Sequence, residues 1–167
     1  MRNRIYTTLL LMLISVVAFG QKKMKSPAAS SEGSIDGVKV EVKYHQPSVQ
    51  GRQVMGKLVP YGQVWRTGAN NATTISFDQD VKVEGKALPK GTYALFTIPG
   101  EGEWEIIFNK NANQWGAFNY DKAEDVLRVK VKSKATSSMV EAFTITVGSN
   151  DVSMAWENTE VKFKVSK

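Results

Sequence analysis

Apolar and polar positions alternate along much of this chain. Val38, Val40, Val42 and Tyr44 fall on one side of a period-two pattern, and Lys39, Glu41, Lys43 and His45 fall on the other. Successive side chains of a strand point to opposite faces, so the pattern predicts a strand with one face in a core and one in solvent. Leu127, Val129 and Val131 alternate in the same way with Arg128, Lys130 and Lys132. So do Phe143, Ile145 and Val147 with Thr144 and Thr146, and Val161, Phe163 and Val165 with Lys162 and Lys164. Glu84-Gly85, Pro89-Lys90-Gly91 and Pro99-Gly100-Glu101-Gly102 read as turns between strands at 81–83, 92–98 and 103–108. Tyr93 and Leu95 on one face of 92–98, with Ala94, Phe96 and Ile98 on the other, make it the predicted central strand. Asn158-Thr159 reads as a last turn, between strands at 152–156 and 161–165.

The count comes to about nine short strands, with at most one helical turn near residues 121–125. Many short strands at regular spacing predict an all-β, antiparallel β-sandwich or jelly-roll-like domain over residues 35–167. A membrane-spanning barrel needs strands of about 9–11 residues with an apolar outer face. The outward positions here are Lys, Arg, Glu and Thr, which argues against it.

The first residues break the pattern. Arg2 and Arg4 precede an apolar run from Ile5 to Phe19, closed by the small residues Ala18 and Gly20. That is the order of a signal peptide, residues 1–20, cut between Gly20 and Gln21. The run is shorter than the roughly 18–20 apolar residues of a spanning helix, so no membrane span is expected. The leader predicts export through the Sec pathway to the periplasm or the medium. Residues 21–34, rich in Lys, Ser and Ala, read as a flexible lead-in. The chain has no cysteine. Disulfides, a lipidated cysteine anchor and cysteine zinc sites are therefore excluded, and a lone histidine, His45, excludes a multi-histidine metal site.

Charge changes the picture less than its total suggests. The formal net charge is +6, with 22 basic residues against 16 acidic. Arg2, Arg4, Lys22, Lys23 and Lys25 belong to the leader and lead-in, and without those five the balance is 17 to 16. A near-neutral body gives no electrostatic footprint for nucleic acid.

Chemistry, if present, lies in two stretches without alternation, 45–71 and 109–125. Irregular stretches longer than about 12–15 residues are uncommon in compact domains unless they carry function or are disordered. Both combine aromatic rings with primary amides, and the first adds Arg52 and Arg66. Aromatic faces suit sugar rings or peptide side chains, amides suit hydroxyls and peptide groups, and Arg is a fork for carboxylate or phosphate. Arg52, Trp65, Arg66, Asn70, Asn109, Trp115 and Tyr120 are the candidate ligand contacts. The competing reading makes Trp65 and Trp115 core plugs and pairs Arg66 with a local carboxylate such as Asp78 or Asp121. His45 with Ser48 is a weak hydrolase candidate, since no Gly-x-Ser-x-Gly elbow occurs. Glu101, Glu103 and Glu105 share one strand face and read as a solvated row rather than a glycosidase pair. No catalytic residue, metal site or cofactor is assigned.

Gly51-Arg52, the run Val59-Pro60-Tyr61-Gly62-Gln63-Val64-Trp65-Arg66-Thr67-Gly68-Ala69-Asn70, Pro89 to Phe96, and Gln114-Trp115-Gly116-Ala117-Phe118-Asn119-Tyr120-Asp121 together resemble one bacterial family. It is the domain-of-unknown-function family numbered 2911, and the likeness runs from about Ser26 to Lys167. The resemblance implies a secreted or periplasmic bacterial protein and carries over no activity, substrate or site. The sequence thus predicts an exported, non-catalytic module binding an extracellular glycan or peptide. An envelope hydrolase and a purely structural protein are the alternatives.

Overall fold

The computed structural model describes residues 25–167. The leader and the cut between Gly20 and Gln21 lie outside them. The chain forms β1 (Ala28–Ile35), β2 (Val38–His45), β3 (Thr73–Phe77), β4 (Val81–Val83), β5 (Lys86–Leu88), β6 (Gly91–Ile98), β7 (Glu103–Asn109), β8 (Asp125–Val147) and β9 (Asp151–Ser166). All neighbours are antiparallel, in the order β1-β2-β3-β6-β7-β8-β9-β4-β5. A 3-10 turn at Lys122–Glu124, capped by Asp121, is the helical turn the sequence predicts. The all-β class is as expected. Among the described residues no helix is long and apolar enough to cross a membrane.

The alternating stretch at 38–45 is β2, with Val38, Val40, Val42 and Tyr44 buried and the charged positions outside. The stretch at 92–98 is central, between β3 and β7. Its inner side chains Tyr93 and Leu95 join the main core. Its outer side chains Ala94 and Phe96 join Ala72 and Ile107 in a second cluster, covered by Val64, Ala117 and Tyr120. Those three covering residues come from the two irregular stretches, so the loops act as a lid on the outer face of the sheet.

Two expectations are corrected. The lead-in read over 21–34 is a strand from Ala28 onward, paired with β2 from Ala28↔His45 to Ile35↔Val38. Its Ser, Ala and Gly residues show no apolar alternation because the partner strand's backbone holds it. The turn expected at Asn158-Thr159 is not made, and β9 runs through it. Pairing with β8 on both sides overrides the local turn chemistry. The irregularity is absorbed as a bulge, with Glu157 at φ 55° and a register shift between Ala135 and Val140 of β8.

β8 and β9 are much longer than the short strands expected, and they fold the sheet over on itself. The first half of β8 pairs with β7 and the second with β9. The end of β8 lies across β1 and β2, where Ile145 N donates to the Tyr44 hydroxyl (3.2 Å) and Val147 N to Ser31 Oγ (3.0 Å). Gly33 is required there, since a Cβ would stand 2.8 Å from Val147 Cγ1. The result is sandwich-like, with Val42, Leu95, Trp104 and Phe108 of one layer facing Phe143, Met154, Trp156 and Phe163 of the other.

Candidate functional site: a cation-lined pocket

The two irregular stretches meet. Asn71 and Trp115 form an isolated bridge, Gly116 N donates to Asn70 O (3.0 Å), and Ala72 N donates to Gln114 O (3.0 Å). The first stretch is anchored to β6 by reciprocal bonds between Trp65 and Thr97, at 2.7 and 3.0 Å. Between Trp65 and β3 the chain turns sharply. Thr67 (φ 55°) and Asn70 (φ 58°) sit in the left-handed region, which is rare for a β-branched residue. Buried Thr67 is held there because its carbonyl accepts from Thr73 Oγ1 at 2.6 Å. Gly68 passes so close to β2 that a Cβ would lie 2.9 Å from His45 O. Such backbone strain gathers where a fold must fix a group for binding.

The group fixed here is Arg66. It borders a pocket of about 280 Å³, together with Lys25, Ser48, Arg52, Leu58 and the edges of two indoles. Arg52 is held by its neighbours, donating Nε to Val49 O (3.0 Å) and Nη2 to Ser48 O (2.6 Å). No Asp or Glu borders the pocket. Burial lowers the Arg66 pKa from its ordinary value, and its Nε is buried without a hydrogen-bond partner among the described residues. The expected pairing with Asp78 or Asp121 is not made. Asp78 Oδ1 accepts from Lys39 N (2.8 Å), and Asp121 Oδ1 caps the 3-10 turn through Ala123 N (2.9 Å). Glu141 and Glu157 also serve backbone amides, Glu141 that of Gln50 and Glu157 those of Val54 and Met55. Among the described residues no carboxylate forms an ion pair with Lys25, Arg52 or Arg66. Residues 1–24 contain no Asp or Glu that could do so.

The other candidates divide. Trp65 is a core plug, 9% exposed, stacked on Trp156 (centroids 5.9 Å apart) and edge-on to Phe143 (5.1 Å) and Trp104 (6.2 Å). Only its rim reaches the pocket. Asn70 Nδ2 donates to Ser26 O (3.3 Å) and so ties the start of the described chain to the pocket rim. Trp115 is 55% exposed and Phe118 83% exposed, beside Gly116, whose Cβ position lies 3.9 Å from Arg66 Cδ. Neither ring lines the pocket. Asn109 is fully buried, with Nδ2 donating to Asp121 O (2.9 Å) and Asp125 Oδ1 (2.8 Å), and Oδ1 accepting from Asn111 N (3.0 Å). These bonds brace the bulge at the end of β7, away from the pocket.

Tyr120 also lies elsewhere. Its hydroxyl donates to Asp125 Oδ2 (2.6 Å) and accepts from Arg128, which pairs with Glu105 (2.6 Å). Burial first, then the hydrogen bond to Asp125 and its charge, push the Tyr120 pKa up to about 12, with Arg128 pulling the other way. The folded state therefore holds this proton more tightly than the unfolded chain, where the ordinary value is near 10. Its contribution is full below about pH 10 and is lost as pH rises through about 12. The stability gap between wild type and Tyr120→Phe should therefore shrink between about pH 10 and pH 12 in urea unfolding. A constant gap would show that the hydroxyl proton is not held.

Lys25 and Trp156 line the pocket and are the contributors that the sequence does not reveal. Lys25 reads as tail charge, and Trp156 reads as strand core, which it also is. His45 and Ser48 line different pockets, so the fold does not assemble them into a base–nucleophile pair.

Fold and pocket together define a sandwich-like antiparallel β module whose pocket cations have no carboxylate partner among the described residues. A family model described as "Protein of unknown function (DUF2911)" matches residues 26–165. The chain belongs to that family. No curated protein matches it, and no solved structure does.

Proposed function

We propose that this chain is a non-catalytic binding module, exported to the periplasm or beyond, that holds an envelope glycan or peptide in the cation-lined pocket. The observation that carries the reading is Arg66. A guanidinium half-withdrawn from water, with no carboxylate partner, is a costly arrangement for a merely structural residue. It is the arrangement expected of a group waiting for a ligand. Trp115 and Phe118, exposed on either side of Gly116 and Ala117 and outside the pocket lining, offer apolar contact area to a ligand that extends past the pocket. The apolar leader with its small-residue exit supports export.

Glycan arrays and calorimetry against envelope extracts test this. Trp115→Ala should keep its melting temperature to within about 2 °C, because the ring is largely exposed, yet lose affinity. Arg66→Ala should lose at least about tenfold in affinity. A wild-type protein that retains nothing from either source would remove the basis of the reading.

A further inference from the structure

The proposed ligand site has a composition that discriminates between ligand classes. Sugar recognition relies on exposed ring faces, with planar amides and carboxylates to meet hydroxyl groups. Inside the pocket the two indoles, Trp65 and Trp156, are 9% and 2% exposed, so they offer rims rather than faces. Among the described residues Gln50 is its one amide residue, and no Asp or Glu lines it. Three cations do, and Leu58 and the indole rims give it an apolar floor. The volume, about 280 Å³, falls just below the roughly 300–1,000 Å³ of ordinary small-molecule sites. That is room for one terminal group, not for an extended chain. An apolar floor beneath two forked cations is complementary to an apolar side chain that carries a carboxylate on its own backbone.

We infer that the pocket captures the free C-terminal carboxylate of a peptide, with Arg66 and Arg52 holding the carboxylate, Lys25 at the mouth, and the last side chain resting on the apolar floor. This rests on the reading of the pocket as a ligand site. Arg52 is prepared for the role because two backbone carbonyls hold its Nε and Nη2 while the residue stays exposed at the pocket. Arg66 is prepared because the surrounding loops have already stripped much of its water, and a carboxylate would restore the lost partner. Recognition of a chain terminus through its carboxylate is an established mode of peptide binding.

The test uses the whole mature chain and two immobilised hexapeptide libraries free of Asp and Glu, one ending in free carboxylates and one in amides. A third surface carries trigalacturonate, a carboxylate on a sugar. The expected result is at least tenfold greater retention on the free-acid library than on the amide library. Retention should weaken as salt rises, and fall at least tenfold in Arg52→Gln and Arg66→Gln. Arg52 is exposed, so its variant keeps the experiment decisive if Arg66→Gln unfolds. Equal retention on both libraries overturns the inference. Retention on trigalacturonate or a glycan array alone also overturns it, while leaving the binding-module reading standing. No retention on any surface overturns both.

Discussion

Trp65→Ala is expected to cost the protein about 3–5 kcal/mol, the range for emptying a buried aromatic site. The indole is the centre of a cluster with Trp104, Phe143 and Trp156 and joins the two layers of the sheet. Its removal leaves a void walled by rings that β7, β8 and β9 hold in place, so the site cannot collapse. It also strips Gly68 O of the bond from Trp65 Nε1 (3.1 Å). The backbone bonds between Trp65 and Thr97 survive the substitution, so the loop stays on β6 and the loss is one of packing. Urea unfolding with an unchanged m-value should report it, with a fall in melting temperature of about 10 °C or more. A loss below about 1 kcal/mol would show that the ring does not carry the core.

The second large effect is expected at Asn109. Alanine there abandons three partners at a fully buried position, among them a carboxylate oxygen of Asp125. Each stranded group costs about 1–3 kcal/mol when water cannot reach it, and partial access for some of them brings the expected total to about 2–4 kcal/mol. Aspartate should be worse than alanine at neutral pH, although it is nearly the same shape. It loses both donors and sets a second carboxylate against Asp125. The excess should fade as pH drops toward about 4 and one of the two carboxyls takes a proton. An Asn109→Asp protein as stable as Asn109→Ala at every pH would remove the bond to Asp125 from the account. Ligand affinity of the folded fraction should be unchanged in both variants.

These two residues also show where the sequence is legible and where it is not. Strands β2, β6 and β7 can be read directly because their side chains alone sort into faces. β1 cannot, since its Ser and Ala residues are positioned by β2's backbone. Its one local signal is Asp36-Gly37, a tight hairpin turn with φ 51° and 79°. The break at Asn158-Thr159 misleads because turn propensity is weak beside pairing along β8. In the loops, ring and amide composition marks the right neighbourhood and brings Arg52, Trp65 and Arg66 to one pocket. Composition cannot separate an amide that meets a ligand from one that meets a backbone. Asn70 and Asn109 read alike, and only the fold shows that Asn109's charged partner is Asp125. The absence of a partner for Arg66 is likewise invisible in a chain with 16 acidic residues.

The bond from Asn70 to Ser26 has a practical side. It places Lys25 against the pocket, so a handle joined directly to Lys25 starts at the pocket. Lys167 N, by contrast, donates to Asp36 Oδ2 (3.4 Å), at the far end of β1. An eight-residue strand spans about 25 Å. An affinity handle or dye attached after Lys167 therefore stands clear of the opening, whereas the same handle at the front would compete with whatever the pocket holds.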